Sequence, residues 1–334
     1  MDPPKMEKSR RKYLEEEESL SEESEELISS LPRQNGWVSF HLYQYQGFWH
    51  SARYLQGLIS CQKHFQAQDS DVFLVTTPKS GTTWLKAIMF AVMNRKQYPI
   101  IINNHPLLTH NPHDLVPFLE IKLYAYNQIP DVTAFPSPRL FSTHMPYVSL
   151  PESLKSSSQC KLIYLCRNPK DTFVSLWHFT NKLRLPEMGT NAIGEVFDRF
   201  CNGISLYGPF WDHVLEYWKL SVEHPERALF LKFEDMKAQP HLHLRRVAEF
   251  LNCPFTADEE EYGLVDKILK LCSFDNLSAL KVNKTGALSS GEETSAFFRR
   301  GEVGDWNNYL SAEMVRKLDR ITEEKFSGSG LELL

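Results

Sequence analysis

The hydrophobic positions of the chain fall into short apolar runs, each followed by a longer stretch with helical spacing. Val72-Phe73-Leu74-Val75-Thr76 is the first run, apolar at successive positions and so on both faces. It reads as a strand buried on both sides. It stops at Pro78, and residues 84–93 then form a nearly unbroken apolar stretch that suits a buried helix. Residues 161–166 predict a second strand, 167–170 a turn and 171–179 a helix. Residues 228–233 predict a third strand, followed by a helix over 242–251 with Leu244, Val247, Ala248 and Leu251 on one face. The proline-rich stretch 130–151 reads as surface loop around a further strand at 139–143. Strands alternating with helices imply the α/β class, a single domain whose central parallel sheet is flanked by helices.

Composition adds bounds to this pattern. The 334 residues are 42% hydrophobic and 24% charged, as in an ordinary globular domain. A net charge of −5 speaks against a general nucleic-acid binder. The six cysteines are scattered without a CxxC pair, so neither a zinc site nor a disulfide framework is expected. The N-terminus lacks an apolar signal core, and the longest apolar stretch, 88–93, is far too short for a membrane span. Cytosol is therefore the expected compartment. The sequons at Asn276 and Asn283 then read as chance matches. Residues 1–30 are strongly charged, with a run at Glu15, Glu16, Glu17 and Glu18. They read as a frayed or disordered extension, or more pointedly as an acidic partner-binding tail. Leu27, Ile28 and Leu31 are placed to dock its end as a short helix. The chain divides accordingly into an extension, 1–35, and a folded domain, 36–334.

The most informative segment is Thr76-Thr77-Pro78-Lys79-Ser80-Gly81-Thr82-Thr83-Trp84, between the first strand and its helix. Such a loop turns backbone N–H groups toward an anion, and the helix dipole adds to the attraction. Gly81 allows close approach, Ser80, Thr82 and Thr83 offer hydroxyls, and Lys79 offers a point charge. The lysine precedes the glycine instead of following it, so the order is P-loop-like and not that of a Walker loop. A plain turn with a threonine N-cap would account for Thr82 or Thr83, but not for Lys79 and Gly81 together.

At this point Pro78-Lys79-Ser80-Gly81-Thr82-Thr83-Trp84 resembles the phosphosulfate-binding loop of the cytosolic sulfotransferases, and the resemblance covers nearly the whole chain after residue 35. It implies the PAPS-dependent sulfotransferase fold, with PAPS (3′-phosphoadenosine 5′-phosphosulfate) as sulfuryl donor, PAP as product and no metal. By the same resemblance Tyr164-Leu165-Cys166-Arg167-Asn168-Pro169 and the helix after it form the 3′-phosphate site, held by Arg167 and Ser175. An arginine fork suits phosphate oxygens on its own chemistry. Phe298-Arg299-Arg300-Gly301-Glu302-Val303-Gly304-Asp305-Trp306 is similar to the family's closing segment, so Arg299, Arg300 and Gly301 should cover that phosphate, with Arg300 in place of the usual lysine. Phe141-Ser142-Thr143-His144-Met145-Pro146 maps His144 onto the catalytic base, and Ser142 replaces the family's lysine. A histidine titrates near working pH and suits removal of a hydroxyl proton. Lys79 is then the catalytic cation, and Ser175 is placed to hold it when no acceptor is bound. Trp84, Phe233 and Phe274 resemble the adenine-contacting aromatics, with Phe233 lacking the usual tyrosine hydroxyl and Cys272 replacing a threonine.

Gly208-Pro209-Phe210-Trp211 and Asn111-Pro112-His113-Asp114 are closer in style to the plant members than to the animal ones. The acceptor implied is a hydroxyl of a small plant metabolite such as a flavonoid, a hydroxyjasmonate or a steroid-like compound. Tyr147 and Trp177 are aromatics that would either face a flat acceptor or fill the core. Asn307, Ser311, Ala312 and Arg316 stand where the family's dimerisation motif has lysine, threonine, valine and glutamate, so a monomer is expected. No nucleic-acid or membrane partner is expected. The competing readings are a P-loop-type nucleotide kinase and a catalytically silent PAP-binding protein.

Overall fold

The computed structural model describes residues 20–100, 104–126 and 129–333. The acidic run at Glu15 to Glu18 lies outside them. A four-stranded sheet runs in the order β5-β4-β6-β7, with all neighbours parallel: β4 (Val72–Thr76), β5 (Leu140–Thr143), β6 (Lys161–Cys166) and β7 (Ala228–Lys232). Each strand is apolar on both faces because it divides its side chains between two cores. Phe73, Val75, Leu162, Tyr164 and Phe230 enter one; Leu74, Ile163, Leu165, Leu229 and Leu231 enter the other. The first core is closed by α2 (Ala52–His64), α4 (Pro169–Leu183), α5 (Phe210–Glu223) and α7 (Ala312–Phe326), the second by α3 (Thr82–Met93) and α6 (Pro240–Phe250).

The predicted strands are found within a residue of their expected limits. The helices start earlier than their apolar periodicity, because polar first turns are invisible to it. Helix α3 begins at Thr82, α4 at Pro169 and α6 at Pro240. Phe233 lies not in the third strand but at the start of a short helix, Phe233–Ala238. Residues 20–35 form helix α1 (Glu22–Ser30), with Ile28 buried in the first core and Leu31 packed against it, and strand β1 (Arg33–Asn35). Strand β1 pairs antiparallel with β2 (His41–Tyr45), which pairs with β3 (Phe48–His50). This sheet had no clear signal in the pattern, since its β2–β3 turn is Gln46-Gly47, both left-handed, without the usual Asn-Gly. All six cysteines are unbridged. The Asn283 side chain is buried and donates to Leu277 O, which leaves no room for a glycan.

The strand starts are tied by a buried ion pair. Arg139 donates through Nε to Asp71 Oδ1 at 2.7 Å and through a terminal nitrogen to Oδ2 at 2.5 Å, with both side chains almost fully enclosed. The backbone continues the tie, with Val72 N on Arg139 O and Lys161 N on Asp71 O. This sets the register of β5, β4 and β6 and with it the level of the loops at their far ends. Removing one partner strands a buried charge, so Asp71→Ala is expected to cost about 3–5 kcal/mol in urea unfolding; a loss below about 1 kcal/mol would show that the clamp is dispensable.

Candidate active site

The chain runs outward from β4 to β5 in one direction and to β6 and β7 in the other, so the carboxyl ends of β4 and β6 flank the point where strand order reverses. Open parallel sheets form a crevice there. The crevice is a cavity of about 400 Å³. Its wall includes Lys79, Gly81, Thr82, Thr83, Trp84, His144, Arg167, Ser175, Phe233, Cys272, Phe274, Arg299, Arg300 and Gly301. Every site residue read from the sequence is thus gathered at one place except Ser80, whose buried hydroxyl shares a 2.6 Å hydrogen bond with Thr77.

The loop after β4 carries two left-handed residues, Lys79 with φ +70° and Gly81 with φ +106°. A Cβ on Gly81 would lie 2.8 Å from the Phe233 ring and 3.0 Å from Leu165, so only glycine lets the loop settle against them. Helix α3 starts at the next residue and directs its N-terminus at the cavity. Lys79 Nζ rests 3.9 Å from the centroid of the Phe179 ring, one helical turn beyond Ser175, and no Lys79–Ser175 hydrogen bond is present among the described residues. The aromatic face satisfies the ammonium where the sequence had suggested the serine hydroxyl. Burial, with the cations of Arg167, Arg299 and Lys182 nearby, pushes Lys79 down to about 7.

Arg167 leaves the end of β6, stacks 4.5 Å from the Phe233 ring and donates to Glu302 O at 2.6 Å. Its ion pair with Asp171 is long, at 3.7 Å. Asp171 instead accepts from the backbone N–H groups of Gly304 and Trp306, which ties α4 to the C-terminal loop, while Asn168 caps the helix. Arg299 and Arg300 share the enclosed carboxylate of Asp305 at 2.5 and 2.9 Å. Burial opposes that charge, but the two arginines still hold the carboxyl below its ordinary value. Gly301 has φ +66°, and a Cβ there would meet the Phe274 ring at 2.6 Å. Trp84 and Phe233 meet edge to face with centroids 5.5 Å apart. Cys272 is a buried neutral thiol, its ionisation pushed up by burial.

The arrangement has the marks of an anion cradle. Among the described residues the Nε atoms of Arg167 and Arg299 are buried without a hydrogen-bond partner, and such groups are ordinarily satisfied. Together with the left-handed glycine and the helix N-terminus, these open donors fit the phosphates of a nucleotide, and the aromatics at Trp84, Phe233 and Phe274 fit its base.

His144 follows β5 and is fixed on every side. Its Nδ1 lies 2.6 Å from Thr76 O, a carbonyl that can only accept, so Nδ1 carries the proton and Nε2 keeps its lone pair. Burial lowers the imidazole to about 3, with Lys86, His213 and Lys79 adding to the effect against the Thr76 hydrogen bond. Its backbone N donates to Glu120 Oε1 at 2.8 Å, and its carbonyl accepts from His213 Nε2 at 2.9 Å. Glu120 also accepts from the Thr143 hydroxyl. Neither Glu120 nor His213 was read from the sequence. The available signal was an acid inside the apolar run Val116-Pro117-Phe118-Leu119-Glu120-Ile121. Ser142 is buried and donates to Val116 O.

The rest of the wall is mostly apolar and comes from segments the motifs did not mark: Trp37, Leu42, Phe118, Leu206 and Phe297. Tyr147 and Trp177 are not on it. Tyr147 packs on Tyr217, and the Trp177 indole donates to Asn191 O. Among the described residues no helix is long and apolar enough to cross a membrane.

The family model described as Sulfotransferase domain matches residues 69–330. Cytosolic sulfotransferase 12 of Arabidopsis thaliana is 52% identical over 317 residues, 95% of each chain. Cytosolic sulfotransferase 5 of the same plant is 51% identical over 94% of this chain and 98% of its own. These names agree with the compartment expected from the sequence. Among solved structures, a putative steroid sulphotransferase of Arabidopsis thaliana superposes with a TM-score of 0.75 at 45% identity, covering 94% of this chain and 98% of that one. Mouse sulfotransferase SULT7A1, complexed with PAP, superposes with a TM-score of 0.66 at 28% identity, covering 86% and 95%. With the domain matched over most of its length, and relatives about half identical over nearly the whole of it, the chain belongs to the sulfotransferase family and is a sulfotransferase.

Proposed function

We propose that the protein transfers a sulfuryl group from PAPS to a hydroxyl of a small, largely apolar plant metabolite, a flavonoid, hydroxyjasmonate or steroid-like compound. The observation that carries this reading is the presence of the anion cradle and of His144, with an open Nε2, on the wall of one cavity. The mouse relative, solved in complex with PAP, supports the choice of donor. The apolar remainder of the wall supports the acceptor class.

In this reading the loop 79–84 holds the 5′ end of the donor, Arg167, Ser175, Arg299, Arg300 and Gly301 hold its 3′-phosphate, and Trp84, Phe233, Cys272 and Phe274 face its base. The bound donor supplies an activated sulfuryl group. The acceptor hydroxyl approaches in line, and its proton passes to His144 Nε2. Thr76 O keeps the imidazole in the tautomer that can receive it, and Glu120 anchors the His144 backbone. Lys79 supplies positive charge where negative charge builds on the leaving oxygen. Burial holds His144 unprotonated across the neutral range and Nε2 open, but at about 3 it is a weaker base than the free histidine expected from the sequence, so proton uptake draws on the negative charge of the bound donor, which favours the imidazolium.

His144→Ala should lower turnover by roughly 10²- to 10⁴-fold while PAP binding in calorimetry stays unchanged. Full turnover in that variant would remove His144 as the base. The donor and acceptor classes are tested together by following PAP release and product mass over a panel of plant hydroxyl compounds; a product heavier by one sulfuryl group is expected, and tight PAP binding without product over the panel would favour a silent binder.

The Lys79 ammonium is fully charged only below its value of about 7 in the free protein. A bound anion favours the charged form, so binding above that pH takes up a proton. PAP affinity should therefore fall as pH rises from 7.5 to 9, by at most about tenfold per pH unit. Lys79→Arg, charged throughout, should flatten the profile. A flat profile in the unmodified protein would contradict this account of Lys79.

A further inference from the structure

A second lysine lies behind the anion loop. Lys86 is fully buried on α3, one turn after Thr83 and on the same face. Among the described residues it forms no ion pair. Its Nζ sits 3.4 Å from the centroid of the Phe118 ring and 3.1 Å from His113 Nδ1. The other nitrogen of that imidazole, Nε2, is 2.9 Å from Thr83 Oγ1. His113 is held firmly in place. Asn111 Oδ1 accepts its backbone N–H at 2.9 Å, Asn111 is in turn bonded to Asn283, and the ring lies between Phe118 and Phe297.

We propose that Lys86 and His113 are positioning residues that turn the Thr83 hydroxyl outward as a donor to the anion in the cradle; this rests on the reading of the cradle as a phosphosulfate site. The logic is one of donors and acceptors. With an anion in the cavity Lys86 is an ammonium, which can only donate, so at the Lys86 contact His113 Nδ1 accepts. A neutral imidazole that accepts at Nδ1 carries its proton on Nε2. Nε2–H then donates to Thr83 Oγ1, which uses an oxygen lone pair and leaves the hydroxyl hydrogen free to point at the cavity that Thr83 lines. Were the chain of bonds reversed, Thr83 would donate to His113 and offer the ligand no hydrogen. The buried lysine thus fixes the direction of the whole relay without touching the ligand.

The chemistry at each end fits this direction. Phe118 holds the Lys86 cation where a carboxylate would have neutralised it. Burial, with the Lys122 cation, pushes Lys86 well below the ordinary lysine range, against the smaller pull of Glu120 and Asp114. An anion in the cavity adds to the second side, so ligand and relay support each other. None of the phosphate-binding motifs includes position 86 or 113.

The test is a double-mutant cycle read by calorimetric PAP binding to the full-length protein. Lys86→Met keeps the apolar stem in a buried site, and Thr83→Val removes the hydroxyl. Each alone should weaken PAP binding about tenfold, the worth of one charge-assisted hydrogen bond. The double variant His113→Phe with Thr83→Val should bind no more weakly than Thr83→Val, because the imidazole acts only through that hydroxyl, whereas Lys86→Met also removes a charge near the anion. His113→Gln, which keeps a donor at the Nε2 position, should bind close to the unmodified protein, and His113→Phe should match Thr83→Val. Losses that multiply in the double variant, or unweakened binding by Lys86→Met, would overturn the relay alone. Failure of the unmodified protein to bind PAP would overturn the donor reading and the relay with it.

Discussion

Positive charge buried against aromatic faces is the constraint on which this site depends. Lys79 rests on Phe179 and Lys86 on Phe118, where ion pairs would ordinarily be expected. A buried cation without a carboxylate is costly, and an aromatic face offsets only part of that cost. The remainder is an attraction for an anion. Arg167 and Arg299 extend it, since each keeps a buried nitrogen without a partner among the described residues. The cavity is therefore shaped for a multiply charged ligand before one arrives.

The sheet makes that concentration possible. Parallel strands bring the ends of β4, β5 and β6 to one level, and the Asp71–Arg139 clamp at their starts sets that level. Thr76 illustrates the economy of the result. Its carbonyl fixes the His144 tautomer, and its hydroxyl bonds Thr82 at the mouth of α3. The anion loop and His144 are thus tied to one strand terminus. A shift of β4 against β5 would disturb both at once.

How much of this was legible depends on whether a residue acts locally or at a distance. Lys79, Gly81, Thr82 and Thr83 were legible because a strand-to-helix turn that binds anions must carry its donors in one short segment. The strands were legible because double burial demands unbroken apolar runs, as at residues 72–76. The β1–β2–β3 sheet was not, since its turn uses Gln46-Gly47 and its short strands mix polar and apolar residues. Tyr147 and Trp177 show the converse. Aromatic character left an acceptor contact and a core position equally open, and packing placed both against the core.

The sequence by itself determined the α/β class, the order of the chemical motifs along the chain, and the segments that carry the cradle and His144. Those follow from local rules of periodicity, turn geometry and side-chain chemistry. Only the tertiary structure decided which groups stand behind the motifs. Glu120 and His213 reach His144 across 24 and 69 residues, and His113 reaches Thr83 across 30. Such contacts leave no spacing to read, because the sheet and its helices bring them together only after the backbone has closed. The direction of a proton on an imidazole is decided there too, by whichever carbonyl or ammonium the fold places beside it.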